Sequence, residues 1–190
     1  MALPTAHAAV AVGLTRKRSI RVLLFLAFLS VLPDFDFLAV LLRWQNPQFD
    51  LHRSWSHSLF FSATLTLLWY WIRPQIRILK EVSPGLFFSA LVSHAILDML
   101  CTSNAADHGV AILWPFLDTR YGWPVLVPLY LKFASSPFSI TGALKFTSLE
   151  LLLAGPLFLF AGMMRASFYH IINRFKTLST AEREAPELEL

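Results

Sequence analysis

Three stretches of this chain place imidazole and carboxylate side chains at spacings that suit a divalent cation. In His94-Ala95-Ile96-Leu97-Asp98 the two ionisable residues are four apart, so on a helix they share one face, a turn apart. Pro33-Asp34-Phe35-Asp36 sets two carboxylates beside a helix-breaking proline. Like charges this close are unfavourable unless a cation neutralises them or one holds a proton. His52-Arg53-Ser54-Trp55-Ser56-His57-Ser58 brings two more histidines and an arginine whose planar fork suits a phosphate. Ser54 or Asp50 is placed to cap the helix that follows. His7, in a run of small residues, adds a further imidazole. Nitrogen and oxygen donors of this kind serve Zn2+, and with more carboxylate character Mn2+ or Mg2+.

Plainer readings exist for each motif: a His–Asp hydrogen bond joining helices, a turn capped by aspartate, a solitary structural histidine. The cost of placing His94 and Asp98 in an apolar helix favours a functional role for that pair. Ser56 and Ser58 flank His57 but lack the glycines of a nucleophile elbow, which argues against a serine hydrolase. His108 beside Asp107 is a weaker candidate, and His170 reads as an interfacial residue.

The elements that must hold these groups are oily. The chain is 56% hydrophobic and only 15% charged, where a soluble domain carries about a quarter charged residues. Mean hydropathy is +0.56, and 17 Phe and 6 Trp supply interfacial anchors. Five apolar segments are visible, at about residues 4–14, 20–42, 57–72, 85–100 and 144–164. The second is broken at Leu32-Pro33-Asp34-Phe35-Asp36, and Gly155-Pro156 predicts a kink in the fifth. Several fall short of the roughly 20 residues of a full span. The expected fold is all-α: a polytopic helical membrane protein with four or five membrane-embedded helices, one broken or re-entrant. Residues 104–139, rich in Pro, Gly and aromatics, read as loops with a short apolar element at 125–133. Residues 1–176 read as one domain and 177–190 as a polar tail. The apolar start precedes its basic residues, the reverse of a cleaved signal. A single cysteine, Cys101, excludes an intrachain disulfide. The net charge of +4 reads as orientation and lipid affinity, with no nucleic-acid partner expected.

If the segments alternate in direction, 11 of the 16 Lys and Arg gather on one side, which the positive-inside rule makes cytoplasmic together with the C-terminus. The same alternation puts His7, Asp34, Asp36, His57, His94 and Asp98 at the opposite, extracytoplasmic end. None of these was used to sort the basic residues, so the agreement points to one shared site.

With these residues in view, the chain resembles the YdjM-like family of bacterial membrane-bound, metal-dependent hydrolases. The resemblance rests on Thr5-Ala6-His7, on Leu32-Pro33-Asp34-Phe35-Asp36, on His52-Arg53-x-x-Ser56-His57-Ser58, on Ser93-His94-Ala95-Ile96-Leu97-Asp98-Met99-Leu100, and on Leu113-Trp114-Pro115-Phe116. Ser54 and Ser56 stand where the family usually has Gly and Thr. The His-x-x-x-Asp helix is also similar to helices of zinc-dependent phospholipase C and P1-type nucleases. The resemblance implies a multi-pass inner-membrane enzyme whose metal-activated water cleaves an ester, with a lipid or lipid-linked phosphoester as substrate. The ligand candidates are His7, Asp34, Asp36, His52, His57, His94 and Asp98, holding one to three divalent ions, Zn2+ first. Arg53 is the candidate transition-state clamp, and Asp36 or Asp98 the group that orients water. The alternative is a metal-binding or structural and regulatory membrane protein without catalysis.

Overall fold

The computed structural model describes residues 4–16, 19–36, 53–76, 80–102, 109–126 and 140–184. Among these the chain is helical and contains no strand. Five helices follow in order: α1 (Pro4–Gly13), α2 (Ile20–Val31), α3 (Leu59–Ile72), α4 (Pro84–Leu100) and α5 (Ile140–Glu184). Short 3-10 turns cover Leu32–Phe35, Trp55–His57 and Arg73–Gln75. Residues 109–126 form a loop pinched by one antiparallel bridge between Val110 and Tyr121.

The boundaries follow from local chemistry. Helix α4 begins at Pro84, whose missing N–H would have had no partner there. Ser83 caps it, its side chain accepting from Leu86 N–H at 3.2 Å. Helix α2 gives way to the turn Leu32–Phe35 at Pro33, as the break in the second apolar segment predicts. The cap expected at Ser54 or Asp50 falls instead to Ser58, which accepts from Phe61 N–H at 3.0 Å. The turn Trp55–His57 intervenes and delays the start of α3 to Leu59. Gly155-Pro156 lies inside α5 without ending it, and the helix continues past Thr177 to Glu184. Most of the apolar element expected at 125–133 lies outside the described residues, as do His52, Asp107 and His108.

Two apolar clusters position the bundle. Trp69 of α3 packs against Phe25 of α2 and Phe87 of α4, with ring centroids 5.0 and 4.6 Å away, and those two rings also meet, at 6.4 Å. Its indole N–H is satisfied by the Val82 carbonyl at 3.2 Å. Val22, Leu26, Leu29, Ala90 and Leu91 close this core. On the other side Ala6 of α1 meets Leu97 and Cys101, backed by Leu153 and Leu157 of α5. Near the far end of α1 the backbones approach too closely for a side chain. A Cβ on Gly13 would stand 2.6 Å from the Phe158 carbonyl oxygen and 2.8 Å from Ala161 Cβ. Arg165 donates to the exposed-end carbonyls of α1, at Gly13 (3.1 Å) and Thr15, and Arg16 lies 4.1 Å over the Tyr169 ring.

Among the described residues, one helix is long and apolar enough to cross a membrane: its segment Leu152–Arg174 has 23 residues and mean hydropathy 1.3, and only 6% of its apolar stretch is buried. At 1.5 Å per residue it is about 35 Å long, enough for a hydrocarbon layer of about 30 Å. The other four helices have 10, 12, 14 and 17 residues.

Candidate metal centre

Two helices and two turns deliver side chains to one polar cluster. The turn after α2 brings Asp34 and Asp36, the turn before α3 brings Arg53, Ser56 and His57, the second half of α4 brings His94 and Asp98, and α1 brings His7. One ligand atom each from Asp34, His57, His94 and Asp98 falls within a group whose members all lie within 4.8 Å of one another. His57, His94 and Asp98 are at most 2% exposed. Asp34, with its side chain 30% exposed, is the ligand that faces outward.

The hydrogen bonds behind the cluster decide which atoms face into it. His94 Nδ1 lies 2.6 Å from the Ser30 carbonyl oxygen, which can only accept, so Nδ1 carries the proton and Nε2 presents a lone pair in the neutral ring. Ser56 Oγ donates to Asp36 Oδ2 at 2.5 Å. Its oxygen is then free to accept from His57 Nδ1–H at 2.9 Å, which leaves His57 Nε2 bare as well. These two bare nitrogens are 3.0 Å apart. Asp34 Oδ1 lies 3.3 Å from His94 Nε2 and 3.6 Å from His57 Nε2, and Asp98 Oδ2 lies 3.6 Å from His57 Nε2. With the rings neutral, the centre is lined by acceptors alone and repels itself. A tetrahedral ion with bonds of about 2.0–2.1 Å separates its ligands by about 3.3 Å. The donor set therefore fits a divalent cation in charge, chemistry and spacing.

The remaining candidates surround this set. Asp36, 5% exposed, sits behind His57: its Oδ2 takes the Ser56 hydroxyl, accepts Arg53 N–H at 3.3 Å and lies 3.7 Å from His57 Nδ1. It orients a ligand through the ring nitrogen that faces away from the centre. Serine, rather than histidine, is the middle member of this Asp36–Ser56–His57 chain, so the order is not that of a nucleophilic triad. Arg53 Nε pairs with Asp98 Oδ2 at 3.0 Å, and its Nη1 donates to Thr102 Oγ1 at 3.2 Å. Arg53 has φ 62°, a left-handed conformation that costs a non-glycine residue about 1–2 kcal/mol. The fold holds it there through the Asp36 contact and through its own carbonyl, which accepts from Ala111 N–H at 3.0 Å. His7 is 1% exposed and stacks on His94.

Two contributors carry no mark in the sequence. The Ser30 carbonyl is a backbone group that any residue would supply. Thr102 accepts from Arg53 and donates to the Asp98 carbonyl at 2.8 Å; its place four residues after Asp98 is the only signal.

No curated protein and no solved structure matches the chain. A family model described as YdjM inner membrane protein matches residues 2–171.

Proposed function

We propose, from the premise that this chain belongs to the YdjM inner membrane protein family, that it is an integral membrane metal-dependent hydrolase acting on a phosphoester of a lipid or lipid-linked substrate. The observation that carries this reading is the inward convergence of lone pairs on Asp34, His57, His94 and Asp98, with both imidazole N–H groups turned outward. A divalent ion, Zn2+ by the two-imidazole, two-carboxylate set, would supply Lewis acidity and, expanded to a fifth position, would lower the pKa of a bound water toward neutrality.

The chain's own residues do the rest. Asp34, the outward-facing ligand, is the part of the site that an incoming ester meets first. Arg53 and Thr102 hold Asp98 in place, and the Ser56–Asp36 pair does the same for His57. The burial of three ligands keeps bulk water away from them and strengthens every charge interaction.

A lipid substrate is favoured by the apolar rim. Phe35, next to Asp34, is 47% exposed, and Phe60 and Phe116, edge to face at 5.9 Å, are 48% and 77% exposed. Leu24, Phe28, Leu67 and Trp71 are likewise more than half exposed on α2 and α3, as side chains facing acyl chains would be. We read those shorter helices, with α5, as a multi-pass bundle, thin or partly re-entrant. Arg16, Arg73 and Arg165 mark the cytoplasmic end, and the metal centre faces the other leaflet.

The test is elemental analysis of the purified chain, followed by a hydrolysis screen over phospholipid and lipid-linked phosphoesters with a chelator control. Stoichiometric metal with chelator-sensitive phosphate release is the expected result. Metal without hydrolysis of any ester would favour a binding or regulatory role, and folded protein that takes up no metal would sink the proposal.

A further inference from the structure

His7 has no role in the ligand set described above, yet it is built into the same centre. It is 1% exposed, and neither Nδ1 nor Nε2 has a hydrogen-bond partner. Each buried unsatisfied polar group costs about 1–3 kcal/mol, and this ring carries two. His7 Nε2 lies 3.6 Å from Asp98 Oδ1. Arg53 Nε and His57 Nε2 face the other oxygen of the same carboxylate, Oδ2. Asp98 therefore turns one oxygen toward the four-residue set and the other toward His7. The His7 and His94 rings are nearly parallel, at 19°, with centroids 3.9 Å apart. In two-metal sites the ions are about 3.5–4 Å apart, so stacked ligand rings at this separation suit one ion each.

We infer that the centre is binuclear. One divalent ion takes Asp34, His57, His94 and Asp98 Oδ2; a second takes His7 Nε2 and Asp98 Oδ1, with Asp98 bridging the two. The inference rests on the metal-centre reading above and extends it. A second position with two protein ligands leaves coordination places that protein does not fill, and it would bind its ion more weakly than the first. The rival is a plain hydrogen bond from His7 to Asp98. That arrangement calls for a single ion; His7 Nδ1 lacks a partner in either case.

The experiment strips the full-length protein in detergent with chelator and titrates it with Mn2+ alone. Wild type should bind two ions per chain in unequal classes, and its electron paramagnetic resonance spectrum should show a spin-coupled pair. His7→Ala and His7→Gln should retain the tighter ion, lose the weaker one and show the six-line signal of an isolated Mn2+. One ion per folded wild-type chain, unchanged in both variants, overturns the inference and leaves the first site standing. A folded wild-type chain that binds no ion overturns both. Should the variants fail to fold, the wild-type stoichiometry and spectrum decide the matter alone.

Discussion

Helix α4 lies with its first half against Phe25 and Trp69 and its second half against His57, Asp34, Arg53 and His7. Phe87, Ala90 and Leu91 in the first half are buried as deeply as His94 and Asp98 in the second. Burial of the first group is favourable in itself, by about 25 cal/mol for each Å2 of apolar surface removed from water. Burial of the second group opposes folding until each polar atom finds a partner. The aromatic half explains why the helix is where it is. Leu97 packs the second half against α1, but the buried His94 and Asp98 do not help to hold the bundle, so their presence asks for a function, and the outward-facing N–H groups point to the atoms that would perform it.

That contrast can be broken at four points. The largest effect is expected for Trp69→Ala, which should destabilise the fold by about 3–5 kcal/mol, read as a lowered thermal midpoint in detergent. The fraction that stays folded should keep its full metal content; a loss of metal at unchanged stability would show that the two halves are not separable. His94→Ala should weaken metal binding at least about 100-fold, or about 2.7 kcal/mol, measured by competition with a chromophoric chelator. The thermal midpoint of the metal-free protein should move far less than in Trp69→Ala. Ser56→Ala removes the hydroxyl between Asp36 and His57 and should cost about 10–100-fold in metal affinity, again with little change in metal-free stability. The smallest effect is expected for Ser58→Ala, which deletes the cap of α3 and should cost about 1 kcal/mol of stability with the metal stoichiometry unchanged.

Much of the site was readable before the fold. The four-residue spacing of His94 and Asp98, the carboxylates at a proline break and the histidine ahead of an apolar helix each name a member of the cluster that could hold a metal. Alternation of segment direction brought them to one end without any coordinates. The division of labour between Asp34 and Asp36 was not readable, because it depends on the 3-10 geometry of Leu32–Phe35, which turns one carboxylate toward the centre and the other toward the back of His57. Arg53 read as a phosphate clamp because its fork suits an anion; in the fold the anion its Nε meets is Asp98. The caps of α3 and α4 show the same limit on a smaller scale. Ser83 beside Pro84 marks its helix start, whereas the cap expected at Ser54 or Asp50 passes to Ser58 because of the intervening turn. The length of α5 exceeds its apolar stretch because Ala, Glu and Arg after Thr177 are residue types that favour a helix.

The partial exposure of Asp34 bears on time as well as on affinity. Three of the four candidate ligands are buried and Asp34 is the one with an exposed face, so an ion held here would enter and leave by a door that swings on its carboxylate. A bulky chelator cannot reach past that door and must wait for the ion to emerge unaided. Loss of metal should then be slow, and above a low threshold its rate should not rise as more chelator is added. Asp34→Ala would leave the door open, and exchange should become fast and chelator-dependent. The protein would hold its metal as a matter of kinetics, through scarcities and competitors that outlast no single opening.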